Sequence, residues 1–137
     1  GRNFSVGFIK GFGIKSGAVA TSIGHDSHNV SVVGIRDEDM LFAVKEIERM
    51  NGGIVVVEDG SVLARLPLPV AGLMSNEDLY TVSYQLKKVD SALRKLGSDK
   101  EMLMTFFFIQ LAVIPKLKLT DRGLVDVSKQ RFVSLFL

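Results

Sequence analysis

The hydrophobic period of this chain changes abruptly at Asp37, and that change constrains the fold more than any other feature. On the N-terminal side, Phe4 to Ile9, Gly17 to Ile23 and Val30 to Ile35 are short runs of β-branched and aromatic residues. They are parted by the turn-prone KGFGIKSG and closed by Gly34 and the charged RDED. Three short strands in an antiparallel meander are predicted. From Asp37 onward Met40, Leu41, Val44 and Ile47 share one helical face, while Glu38, Lys45, Glu48 and Arg49 share the other. Asp37 is placed to cap this helix, and Asn51-Gly52-Gly53 offers the left-handed exit that helices favour.

The period then returns to that of strands. In GIVVVEDGSVLARLPL, Ile54 to Val57 and Val62 to Leu66 flank Glu58-Asp59-Gly60, an Asp-Gly turn that predicts a hairpin. Pro67 and Pro69 alternate with Leu66, Leu68 and Val70. A residue without a backbone N–H cannot sit in a central strand, so this stretch is an edge, or an extended connection that closes the core or covers a partner. Ser75 followed three residues later by Asp78 reads as a capping box, and Leu79, Val82, Leu86, Val89 and Leu93 carry an apolar stripe as far as Gly97. The run DKEMLMTFFFIQLAVIP reads as helix into Gln110, with Met102, Met104, Phe106, Phe107 and Phe108 as core or interface residues. Lys116 to Leu119, Leu124 to Val127 and Phe132 to Phe136 read as strands, with Asp121-Arg122-Gly123 as a turn. No internal repeat, low-complexity tract or linker interrupts this order. Residues 1–137 are therefore read as a single α+β domain, a mostly antiparallel sheet packed with two to three helices in a sandwich.

Composition narrows the functions open to such a fold. Lys and Arg outnumber Asp and Glu by only 17 to 15 and do not collect in a block, so the concentrated basic face of a nucleic-acid binder is absent. With no cysteine, disulfides, thiolate metal sites and cysteine nucleophiles are excluded, which fits a reducing cytoplasm. The longest apolar run, Met102 to Ile114, is broken by Thr105 and Gln110 and stopped by Pro115, short of the roughly 20 residues that span a bilayer. Neither membrane nor nucleic acid is expected as a partner. The chain opens Gly1-Arg2-Asn3-Phe4 without an initiator Met or a signal-like segment, and is read as a piece of a longer polypeptide. The glycines of GFIKGFGIKSGA complete no nucleotide fingerprint; they serve turns and bulges.

The residues with the most chemistry are gathered in SIGHDSHNVSVVG, which contains both histidines of the chain, His25 and His28, with Asp26, Ser27 and Asn29. Three readings are open. His25, Asp26 and His28 would supply three metal ligands, but Gly24 before them and NVSVVG after them argue for a turn entering a strand, not the helix on which an H-x-x-H pair converges. A histidine held by Asp26 would act as a general base, with Ser27 or a substrate group as its proton partner, yet triads are assembled from distant segments. Or Asp26, Ser27 and Asn29 satisfy the backbone of a tight turn, which these residue types do best.

Taken in order, GFIKGFGIKSGAVATSIGHDSHNVSVVG, DEDMLFAVKEIERMNGGIVVVEDGSVLARLPLPVAGLMS and VIPKLKLTDRGLVDV resemble the C-terminal domain of bacterial and archaeal adenine deaminases, members of the amidohydrolase superfamily. The resemblance runs from about Gly7 to the end of the chain. It implies a whole enzyme that hydrolyses adenine to hypoxanthine and ammonia, using manganese or iron held in a TIM-like barrel that precedes this domain in the same polypeptide. It implies no catalytic or metal-binding residue in this chain, an inactive isolated domain, and possible homo-oligomer contacts. His25, Asp26, Ser27, His28 and Asn29 match the family's HDSHN block residue for residue. They are thereby substrate-proximal or interface candidates, lining the active site or forming a structural turn at its border. Two departures accompany the match: Gly24 stands where the resemblance leads one to expect alanine, and FFFIQLAVIP replaces a version with serine near Phe107 and proline near Ala112. The competing expectations are a stand-alone metallohydrolase built on His25, Asp26 and His28, and a binding or dimerisation module using the Pro67-Pro69 segment and the Met-Phe run.

Overall fold

Valines 55 to 57 and Ile54 form a strand with no polar face, so both of its sides must be covered, and the remainder of the architecture follows from that. A computed structural model describes residues 3–136. Strands β1 (Ala18–Thr21), β2 (Ser31–Gly34), β3 (Gly53–Glu58) and β4 (Ser61–Pro67) form an antiparallel sheet in the order β2-β1-β3-β4. Helix α1 (Asp37–Arg49) follows β2; α2 (Leu79–Leu96) and α3 (Lys100–Phe107) follow β4. A second antiparallel sheet, β5 (Leu117–Thr120), β6 (Gly123–Asp126) and β7 (Arg131–Val133), completes the order.

Alternation along the two central strands sorts the core into two halves. Ala18 and Ala20 of β1 and Val55 and Val57 of β3 turn to one face, where they meet Ala43 and Ile47 of α1. Val19, Ile54 and Val56 turn to the other and meet Val89, Leu93 and Leu96 of α2 and Leu103 and Phe106 of α3. The first four-stranded sheet is thus covered on both sides, one helix against two. The alanines matter: with no bulk at positions 18, 20 and 43, α1 lies close to the sheet.

Several predicted elements shift once tertiary contacts are present. Phe4 to Ile9 is not a strand; Gly7 faces the Leu119 side chain, the Ser5 hydroxyl donates to the Thr120 carbonyl, and Phe4, Val6 and Phe8 stay exposed. Instead of a three-strand meander, β1 is flanked by β2 and by β3 from beyond α1. The buried face of α1 is rotated from the predicted one: Leu41 is exposed, while Asp39 is buried because its Oδ1 accepts the Gly60 N–H at 3.0 Å, joining the helix to the β3-β4 turn. Arg36, not Asp37, is the N-cap of α1, and no side chain caps it. At α2 the capping box gives way to Asp78 itself, whose carboxylate accepts from the N–H groups of Tyr80 and Thr81. Ser75 accepts only from Glu77 N–H. Leu79 and Leu86 are exposed; the fully buried residues of α2 all lie in its C-terminal half, and of the earlier stripe Val82 packs partly buried against the core. Helix α3 ends at Phe107, and turns carry the chain on through Gln110. Pro67 ends β4, an edge strand, and Leu68 is buried, so the proline segment closes the core of this chain. No described helix is long and apolar enough to cross a membrane.

Candidate functional site

The connection from β1 to β2 contains the polar block. Ile23 N–H is taken by the Thr21 hydroxyl at 2.9 Å as the chain leaves the sheet, and His28 N–H closes a turn on the Gly24 carbonyl at 2.8 Å. His28 adopts φ 49°, the left-handed region that its type tolerates better than branched residues do. Without a neighbour such a loop would be mobile. Here it hangs on the C-terminal end of α3 at three points: His25 N–H donates to the Phe107 carbonyl at 2.9 Å, the His25 ring stacks on Phe108 with centroids 4.7 Å apart, and Gln110 reaches the remainder.

Gln110 is buried, and its side-chain amide is fully used. Oε1 accepts from the Ser27 hydroxyl and from Asn29 N–H, both at 3.1 Å. Nε2 donates to the Asn29 carbonyl at 2.7 Å and to Ser31 Oγ at 2.6 Å. Two donors and two acceptors are all that an amide has, and only this orientation matches both the N–H and the carbonyl of Asn29. The amide takes up the space beside Gly24, where a Cβ would fall 2.2 Å from Nε2.

The five predicted residues thus divide by role in the loop. Gln110 binds Ser27 by its hydroxyl and Asn29 by its backbone N–H and carbonyl. His28 Nδ1 accepts the Gly24 N–H at 3.4 Å, a long contact that leaves Nε2–H as an outward donor. His25 and Asp26 present their side chains to solvent, 49% and 86% exposed, with Nδ1 and Oδ1 4.0 Å apart. The Ser27 hydroxyl therefore faces an amide and not an imidazole, so no Ser-His pair forms. Two imidazoles and one carboxylate do not make a metal centre either: among the described residues no three His, Asp or Glu side chains gather at ligand distance. What the arrangement offers is an exposed imidazole, a carboxylate and a second imidazole on a backbone tied to the end of α3, groups whose chemistry is that of hydrogen bonding to polar partners. In the sequence Gln110 registers only as a polar interruption of an apolar run, with no sign of its bonds to the loop.

The molecule is thus an α+β domain with a clamped polar loop and, among its described residues, no gathered ligand set. Comparison with known families makes it specific: residues 1–131 match the adenine deaminase C-terminal domain, and the chain belongs to that family. An adenine deaminase of Thermosipho melanesiensis is 55% identical over 133 residues, 97% of this chain and 23% of that protein. Those of Kosmotoga olearia and Brucella anthropi are 49% and 53% identical, over 99% and 96% of this chain and 24% and 23% of theirs. The chain accordingly spans less than a quarter of the length of these relatives.

Proposed function

We propose that this chain is the C-terminal domain, residues 1–137, of a cytoplasmic adenine deaminase of the amidohydrolase superfamily that hydrolyses adenine to hypoxanthine and ammonia. The family match over residues 1–131 carries this reading. A divalent metal, manganese or iron, would be held by a barrel earlier in the same polypeptide and would supply the activated water; the residues present here do not fit that group and no step is assigned to them through it. The domain borders the active site, and the loop from His25 to Asn29 faces the purine. In support, the loop exposes the His25 and Asp26 side chains while its backbone is tied to α3, as expected of groups that meet a ligand in one fixed geometry. Imidazole and carboxylate are suited to the ring nitrogens and exocyclic amine of adenine.

The full-length enzyme tests this. His25→Ala and Asp26→Ala are each expected to lower kcat/KM for adenine by roughly tenfold to a hundredfold, the range for losing a charged or buried-site hydrogen bond, with metal content unchanged. Wild-type kinetics in both variants would remove the loop from the active site, and a full-length protein inactive on adenine would remove the substrate assignment.

A further inference from the structure

Resting on the reading that the loop meets the purine, we infer that Gln110 is the positioning residue of that loop and that Gly24 lacks a side chain in order to admit it. Three observations converge. Gln110 lies beyond the end of α3, about 80 residues from the loop in sequence. All four hydrogen-bonding positions of its amide are used on the loop and the first residue of β2, none on α3. And the space it takes is available only because position 24 is glycine, since a Cβ there would meet Nε2, Cδ and Oε1 at 2.2, 2.5 and 2.8 Å. Gly24 has no positive φ, so its backbone does not demand glycine; the neighbouring amide does. A buried amide that satisfies both the N–H and the carbonyl of Asn29 fixes the loop path, and with it the direction in which His25, stacked on Phe108, and Asp26 project. Gln110 itself is buried, and its amide is spent on the loop and Ser31, so it acts through the loop.

The experiment is a kinetic and amide-exchange comparison in the full-length enzyme. Gln110→Met keeps the volume and removes the hydrogen bonds, so exchange in peptides spanning residues 24–31 should accelerate by about tenfold while those from α1 and β3 keep their protection. kcat/KM should fall with it, and should fall no further when Gln110→Met is added to His25→Ala/Asp26→Ala, because a positioning residue has nothing left to position. Gly24→Ala displaces the amide by a second route and serves if the Met variant does not fold. It should reproduce the faster exchange in the wild type yet add nothing in a Gln110→Ala background, where the new methyl has room. Unchanged exchange at residues 24–31, or a loss of activity that adds fully to that of the loop variants, overturns the inference. Silent loop variants overturn it together with the functional reading, whereas damaging loop variants beside a silent Gln110→Met overturn this inference alone.

Discussion

Leu93 shows how much of the stability rests on single side chains. It is wholly buried on the inner face of α2, in the cluster that also contains Val56, Leu66 and Phe106. Truncation leaves a cavity that close-packed neighbours fill only in part, so Leu93→Ala should lower the unfolding free energy by about 2–5 kcal/mol in a denaturant titration. A loss below about 1 kcal/mol would mean that the helix moves to close the gap. Leu86, two steps earlier on the same predicted stripe, is exposed and its truncation should be close to neutral. In the sequence the two leucines read alike; only the tertiary packing separates the buried one from the exposed one. The same holds at the candidate site. His25, Asp26, Ser27, His28 and Asn29 were legible as a group because polar residues cluster there, but their division into backbone anchors and outward groups was not, because Gln110 makes that division from the far side of the sequence.

At the scale of elements, caps decide where helices begin, and α2 depends on one carboxylate. The Thr81 hydroxyl, then the Thr81 and Tyr80 N–H groups, hold Asp78 below the usual carboxylate range. A carboxylate with a depressed folded-state value stabilises the native state above its ordinary value and loses that contribution as pH falls through the folded one. The first turn of α2 should therefore be unaffected between neutrality and about pH 5 and weaken below about pH 4. Asp78→Asn, which still accepts a hydrogen bond but does not titrate, should show a smaller acid-induced decline in melting temperature than the wild type. Equal declines would mean that other carboxylates govern the acid limb. Period and turn chemistry made the three helices, the β3-β4 hairpin and the terminal strands legible. The misreadings fall where contact overrides pattern: Phe4 to Ile9 has a strand's composition but no ladder, and Asp39 is drawn into the α1 interface by the Gly60 N–H.

At the scale of the molecule, aromatic side chains from early and late in the sequence meet at the surface. Phe8 packs edge-on to Phe136 with centroids 6.4 Å apart, and both rings remain largely exposed, as do Phe4 and Val6. Large apolar side chains left this exposed are candidates for contact with another surface. Replacing Phe4 and Phe8 together by serine should change the stability of the separately produced chain by no more than roughly 0.5 kcal/mol per site while reducing its self-association in sedimentation velocity. Undiminished association would place the sticky surface elsewhere, with the exposed Leu79, Tyr80 and Tyr84 of α2 the next to test. By itself the sequence determined the class of fold, the order of its elements, and the one block of polar residues worth following, because periodicity, turn residues and composition are local properties. Only the tertiary structure decided that the strands divide into two sheets, that α1 lies opposite α2 and α3, and that an amide beyond α3 holds the HDSHN loop. Those outcomes depend on burial and on hydrogen bonds between residues some 80 positions apart, and no local pattern encodes such a pairing.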